Sequence, residues 1–210
     1  MNKKLLAALV AAVSFQAVGT ENVDVQQAER GYLENGWYLG ADIIDTDLVS
    51  DEDGTKSNEV SSTSASVSLG YNFKIIEDFI VGIEAEFVDY GKFDLVYSSD
   101  SSIKASTDIY ALSLNLKPKY FVSGSKFYLG ALFGVGTYKT DLDAEVVVNQ
   151  LVKSRISQSR SDTGFSYGAE MGYAINNNWF VNGGYRVTNV DVDGADIDMD
   201  TLFLGIDYKF

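Results

Sequence analysis

The stretch NVDVDGADIDMD, residues 189–200, carries aspartates at Asp191, Asp193, Asp196, Asp198 and Asp200. Oxygen donors packed this closely suit a hard divalent cation such as calcium. Asn189, Asp191, Asp193 and Gly194 fall at positions 1, 3, 5 and 6 of an EF-hand loop, and Asp200 falls at position 12. That loop wants a bidentate glutamate at position 12 and helices on both sides. Here position 12 is Asp200, position 8 is Asp196 rather than an apolar residue, and the flanks alternate like strands. The EF-hand fails, and the five acids stand as a metal-ligating candidate whose meaning depends on where the fold puts them.

Other chemistry is limited by what is missing. The chain has no cysteine, so it can hold no disulfide or thiolate metal site, and it has no histidine. Histidine is the commonest general base and metal ligand. Ser64, Ser66 and Ser68 have no base beside them in the sequence to activate a nucleophile. Thirty acids against 16 bases give a net charge of −14. Nucleic-acid binding needs basic surface to replace counterions, so it is not expected. The chemistry-bearing groups left are charges within apolar alternation: Asp42, Glu84, Glu86, Lys117, Glu170, Arg186, Asp207 and Lys209.

What must position these charges is a set of strands. In SASVSLGYNF, residues 64–73, Ala65, Val67, Leu69, Tyr71 and Phe73 share one parity, while Ser64, Ser66, Ser68, Gly70 and Asn72 share the other. Successive side chains of a strand point to opposite faces, so one face is apolar and the other small and polar. The same pattern recurs at about 36–45, 63–73, 79–90, 107–117, 126–138, 164–175, 179–188 and 201–210. Three connections are short: KIIED, a link from Pro118 to Ser125, and NNN. Four are longer and polar, at roughly 46–62, 91–106, 139–163 and 189–200. Strict alternation of short and long connections puts every long loop at one end of an up-and-down meander.

The polar face holds Gly40, Gly70, Gly82, Gly130, Gly134, Gly136, Gly168, Gly172, Gly184 and Gly205. Glycine suits a crowded interior, and an eight-strand barrel is narrow enough for its side chains to fill it. The small residues leave room inside for Leu132, Phe180, Phe203 and the charges. The apolar face is therefore expected to meet lipid, where only a helix or a closed barrel satisfies its backbone. Segments of about ten alternating residues match tilted transmembrane strands. Aromatic residues gather at the short-turn ends (Trp37, Phe73, Phe79, Phe127, Tyr173, Trp179, Tyr208, Phe210) and toward the long-loop ends (Phe87, Tyr110, Phe165, Tyr185). These read as two interfacial girdles. The expected fold is all-β, an eight-stranded antiparallel up-and-down transmembrane β-barrel; the competing fold is a soluble, lipocalin-like barrel with an aromatic core.

The first twenty residues, MNKKLLAALVAAVSFQAVGT, have two lysines, an apolar run too short to span a bilayer, and small residues at Ala17 and Gly19. That layout predicts a signal peptide at 1–19, followed by a loosely ordered periplasmic leader at 20–35 and a barrel at 36–210.

The segments GWYLGADI (36–43), GIEAEFVDYG (82–91), KFYLGALFGVGTY (126–138) and LFLGIDYKF (202–210) resemble the OmpA-type and OmpX-type small outer-membrane barrels of Gram-negative bacteria. The resemblance covers about 36–210. It implies short turns in the periplasm, long loops outside the cell, and an outer-membrane location among lipid and lipopolysaccharide. It also implies a terminal strand, with Tyr208 and Phe210, recognised by the barrel-assembly machinery after escort by periplasmic chaperones. Enzymes of this barrel class lean on a catalytic histidine, which this chain lacks, so no enzymatic activity and no cofactor are expected. The expected protein is a monomer serving envelope integrity and surface contact. A narrow pore for ions or small solutes, and an adhesin or ligand binder, are the alternatives.

Within such a barrel the inward charges are either a polar gate or a network that keeps the barrel shut. Pairing across the NNN turn puts Glu170 opposite about Gly184, with Arg186 diagonal and in reach. Above the membrane, the first loop is acidic at Asp47, Asp51, Glu52, Asp53 and Glu59, with Lys56. The third is basic at Lys153, Arg155 and Arg160, which is either a solvated face or a contact for lipopolysaccharide phosphates. For 189–200, a tight turn near Asp193-Gly194-Ala195 sends the acids outward, with Val190, Val192, Ile197 and Met199 inward. Carboxylates do not face hydrocarbon cheaply, so the bilayer ends near Asn189 and Asp200. A divalent cation shared with lipopolysaccharide would relieve the repulsion among these acids.

Overall fold

The computed structural model describes residues 30–52, 55–97, 102–148, 151–192 and 195–210. The expected signal peptide, residues 20–29 of the expected leader, Asp53, Asp193 and Gly194 lie outside the described residues. So do the side chains of Asp51, Glu52, Lys56, Glu59, Lys153, Arg155 and Asp196. Eight strands follow one another: β1 (Gly36–Glu52), β2 (Thr55–Ile76), β3 (Phe79–Tyr97), β4 (Ser102–Phe121), β5 (Phe127–Val148), β6 (Leu151–Ala174), β7 (Trp179–Val192) and β8 (Ala195–Lys209). Each pairs antiparallel with its neighbour in sequence, and β1 pairs with β8 to close the barrel.

The burial pattern is that of a soluble protein turned inside out. Leu112 and Val67 point outward and are 63% and 57% exposed, whereas Glu84 and Lys117 point inward and are 2% and 5% exposed. Water would reject this arrangement, and hydrocarbon favours it. The alternation seen in the sequence is thus the lipid face and the lumen face of each strand. Rings gather on the outside at the short-turn end, where Trp37 meets Tyr71 at 5.2 Å and Trp179 meets Tyr208 at 4.8 Å.

The strands run further than their amphipathic cores. Expected loop positions 46–62, 91–106, 139–163 and 189–200 are largely strand, with β5 and β6 paired as far as Val148↔Leu151. Above the bilayer the contrast between the two faces fades. Period-2 alternation then stops marking strands whose ladders simply continue. The extensions part into two sheets. The β2–β3 ladder begins at Ala65↔Asp89, and the β6–β7 ladder stops at Gly164↔Val190. Beyond those points β3–β4–β5–β6 forms one four-stranded sheet and β7–β8–β1–β2 the other. Along 151–163, β6 pairs only with β5 among the described residues.

Two departures from regular pairing matter inside. A bulge between Asp89 and Gly91 is held by the Gly91 N–H donating to Asp89 Oδ1 at 2.8 Å, with Gly91 at φ 78°. Glycine alone takes that backbone without strain. The extra residue resets the parity, so Tyr90 and Phe93 are both buried in the lumen. The second is Pro118, where the sequence suggested a turn. It lies within β4, paired with Val81, while Lys117 and Pro118 have no partner on β5. A proline lacks the N–H a ladder needs, and here it falls where the ladder is interrupted.

The lumen is stacked in three layers. Toward the long hairpins, Ile44, Val88, Tyr90, Phe93, Tyr138, Met199 and Phe203 belong to one apolar cluster. Toward the short turns, Tyr32, Leu33, Ile80, Phe121, Tyr128, Ala174 and Phe180 form another. Charges fill the space between. Tyr32 and Leu33 come from a 3-10 turn at Gly31–Leu33. Of the segment 20–35, expected to be loosely ordered, Tyr32 and Leu33 are instead packed into the barrel mouth, because their apolar side chains bury there.

Candidate functional site

The strand parity brings most of the inward charges together in the middle layer. Glu84 and Glu86 alternate on β3, and Asn115, Lys117 and Lys119 alternate on the facing β4. Asn115 Nδ2 donates to Glu84 Oε1 at 3.2 Å and to Glu86 Oε2 at 2.8 Å. The Lys117 ammonium lies 3.3 Å from Glu84 and 3.1 Å from Glu170. Lys119 lies 3.4 Å from Glu170 and 4.0 Å from Asp207. Arg186 Nη1 donates to Glu86 Oε2 at 2.7 Å. A continuous chain of contacts therefore runs Asp207, Lys119, Glu170, Lys117, Glu84, Asn115, Glu86, Arg186, from β8 across the lumen to β7. All eight are buried.

Removing charges from water is costly, and it is tolerated when each charge finds partners of good geometry. Glu84 also accepts from the Tyr38 hydroxyl at 2.9 Å. Lys119 sits between two rings, 5.4 Å from the centre of Tyr38 and 5.2 Å from that of Tyr128. Such cation–π contacts help hold a desolvated ammonium. The Arg186 guanidinium lies 5.9 Å from the Tyr90 ring, which ties the charge layer to the apolar layer above it.

Three placements differ from the sequence reading. Glu170 does stand opposite Gly184, but Arg186 turns away from it and reaches Glu86. The barrel is so narrow that β3 and β7, four strands apart, are within one side chain's length. Lys209 stands apart from the charge chain; its ammonium donates to the carbonyl oxygens of Gly31 and Glu34. Asp42 lies at the edge of the layer and accepts from Ser66 Oγ at 3.0 Å. Two partners escaped the sequence reading. Lys119 falls in the link expected from Pro118 to Ser125, and continuing the parity of Lys117 through the proline finds it. Tyr38 shares the parity of Gly40 and Asp42 and was legible on that ground.

Of the acidic stretch near the hairpin tip, Asp191, Asp198 and Asp200 stand on the outward face. Register pairs Asp191 with Asp196, Asn189 with Asp198 and Val187 with Asp200. Asp200 in turn stands opposite Asp47 of β1. Asn189 Nδ2 donates to Asp198 Oδ1, and Asp200 lies near the Tyr185 hydroxyl. Val190 and Met199 are buried on the other face, with Ile197 packed against their cluster. Among the described residues, no three carboxylates converge as a metal centre.

The same architecture occurs among known proteins. A family model for the outer membrane protein beta-barrel domain matches residues 5–210. Among solved structures, Ail, the attachment invasion locus protein of Yersinia pestis, seen with the heparin analogue sucrose octasulfate, is 21% identical. It aligns over 84% of this chain and 99% of its own with a TM-score of 0.52. A major outer membrane protein from Thermus thermophilus is 12% identical over 82% and 99% of the two chains, with a TM-score of 0.50. Neisserial surface protein A is 18% identical over 83% and 97%, with a TM-score of 0.49. No curated protein sequence matches the chain. With the family model spanning nearly its whole length and the closed eight-strand barrel it describes on the page, this chain belongs to the outer-membrane β-barrel family.

Proposed function

We propose that this protein is a non-enzymatic outer-membrane barrel that serves envelope integrity and surface contact, and that its working surface is the pair of sheets raised above the bilayer. One observation carries the reading: the lumen is closed by apolar side chains at both ends, while all four long hairpins stand together at one end. A conducting path needs polar lining from end to end. Phe93 and Tyr138 interrupt it on one side, and Leu33 and Phe180 on the other. Lys117, Lys119 and Arg186 each pair with carboxylates of other strands, so the inward charges act as a girder that holds the strands in place.

The raised sheets have what a contact surface needs. Along 151–163 β6 pairs with β5 alone among the described residues, and a strand edge offers backbone donors and acceptors to a partner. Its sequence is basic at Lys153, Arg155 and Arg160, which suits phosphate groups of lipopolysaccharide. The acidic ribbon of β7, β8 and β1 takes divalent cations that bridge to the same phosphates. Chaperones and the assembly machinery act earlier, through the terminal strand with Tyr208 and Phe210.

Two measurements test the reading. The refolded barrel in a planar bilayer gives no discrete conductance steps; steady openings that vanish in Arg186→Ala overturn the closed lumen. Replacing 143–157 by a tight turn leaves a folded barrel that loses binding to lipopolysaccharide. Unchanged binding by that variant removes the contact role from this hairpin.

A further inference from the structure

We infer that residues 30–34 are a stopper that seals the charge layer from the periplasm, and that Lys209 is the latch that holds it. The segment stands outside the strands, yet it is fastened to several of them. Arg30 Nη1 lies 2.7 Å from Asp78 Oδ1 in the β2–β3 turn. Gly31 packs so closely on Asn177 of the β6–β7 turn that a Cβ there would stand 2.9 Å from its Cγ. Lys209 of β8 donates to Gly31 O and Glu34 O, each at 2.6 Å. Just beyond, Asn35 Oδ1 accepts the Lys74 N–H of β2 at 2.6 Å. The segment thus spans the mouth from one side to the other.

What it carries into the mouth is apolar. Leu33 is fully buried, and the Tyr32 ring lies 5.3 Å from that of Phe121. Their cluster includes Tyr128, whose ring touches Lys119 of the charge layer. The other members of the cluster, Ile80, Phe121, Tyr128, Ala174 and Phe180, belong to barrel strands, so Tyr32 and Leu33 are the part of this layer that can leave without unpairing a strand. Among the described residues the opposite apolar layer has no such removable part, because its buried members all belong to barrel strands. A chamber with one detachable wall opens toward the periplasm and not toward the outside.

The latch has its own requirement. The Lys209 stem passes over Gly36 of β1, where a Cβ would meet its Cε at 2.8 Å. Lys209 is buried, and an ammonium without acceptors in such a place is costly. The stopper's carbonyls supply those acceptors. Latch and stopper therefore support each other, and both depend on β8 lying beside β1.

Because the natural chain has no cysteine, one introduced thiol reports on the chamber alone. Ser68→Cys places it in the charge layer, near Asp207 and over Gly40. The mature protein, refolded in phosphatidylcholine vesicles, is treated with a small cationic methanethiosulfonate. The parent thiol is protected. Adding Leu33→Ser raises its labelling rate about tenfold or more, as expected when a local opening becomes cheap. Lys209→Gln and Gly36→Ala, which leave the apolar side chains in place, raise it in the same direction. Heat-modifiable migration on gels confirms that each barrel is folded, and the latch variants keep the test valid if Leu33→Ser does not fold. A second thiol, Thr46→Cys, sits buried beside Thr201 near the other apolar layer and stays protected throughout. Equal labelling of Ser68→Cys with and without the stopper changes overturns the inference. So does a parallel rise at Thr46→Cys, which would mean a general loosening of the barrel.

Discussion

The Tyr38 hydroxyl of β1 donates to Glu84 Oε2 of β3 at 2.9 Å, passing directly over Gly70 of the strand between them. The three residues form one row of the barrel, Tyr38↔Gly70↔Glu84. The ring occupies the space a side chain at 70 would need, with Tyr38 Cε1 2.6 Å from an ideal Cβ there. On β5 and β6, Tyr128 crosses Gly172 in the same manner. Gly70 on the lumen face is thus a passage through which the Tyr38 side chain reaches a strand it does not neighbour.

Gly70→Ala should therefore cost more than the methyl itself suggests. It displaces the Tyr38 ring and removes a bond to a buried carboxylate, a loss of roughly 2–4 kcal/mol from overpacking and the lost hydrogen bond together. Tyr38→Phe, which keeps the packing, should lose about 1–3 kcal/mol. Gly124→Ala is the control: its φ is 73° with nothing near its Cβ, so only backbone strain of about 1–2 kcal/mol applies. Urea unfolding of the refolded barrel in lipid vesicles checks the order. Gly70→Ala no worse than Gly124→Ala would refute the passage role.

The pairing of Arg186 with Glu86 makes a prediction about coupling. Arg186→Met leaves Glu86 buried without its strongest partner, which should cost about 3–5 kcal/mol. Adding Glu86→Gln should recover much of that loss, because the stranded charge is gone. Adding Glu170→Gln should not, since Glu170 holds Lys117 and Lys119. A double-mutant cycle on unfolding free energies decides; stronger coupling of Arg186 to Glu170 than to Glu86 would reject the observed pairing.

On the outer face, Asp47 stands directly opposite Asp200. Like charges so placed repel by roughly 0.2–1 kcal/mol. Asp200→Asn, which keeps an acceptor for Tyr185, should stabilise the barrel by about that much at low ionic strength, and the gain should shrink as salt is added. Millimolar calcium should raise the melting temperature of the parent more than that of a variant with Asp→Asn at 191, 193, 196, 198 and 200. Equal responses of the two proteins would discard the bridging cation.

Orientation is tested at the hairpin between β7 and β8. An epitope inserted at Gly194 should bind antibody on intact cells. Detection only after permeabilisation would place the long hairpins in the periplasm.

Much of this molecule was readable before folding was considered. A strand turns over its side chains every two residues whatever surrounds it. The parity of residues such as Leu112 and Glu84 was therefore enough to assign a lipid face and a lumen face. Alternating connection lengths then ordered the strands, and Glu170 opposite Gly184 followed from the length of one turn. What parity cannot supply is distance across the lumen. Arg186 bonds Glu86 a hundred residues away because closure brings β7 opposite β3, and only the closed register sets that. Lys119 entered the charge layer because β4 tolerates Pro118 where its ladder to β5 is interrupted. The hairpins rose as sheets because ladders propagate where amphipathic contrast has ended. Residues 30–34 found their place in a barrel mouth that exists only once β8 lies against β1. Local chemistry determined which way each side chain points, and the closed barrel decided which of them meet.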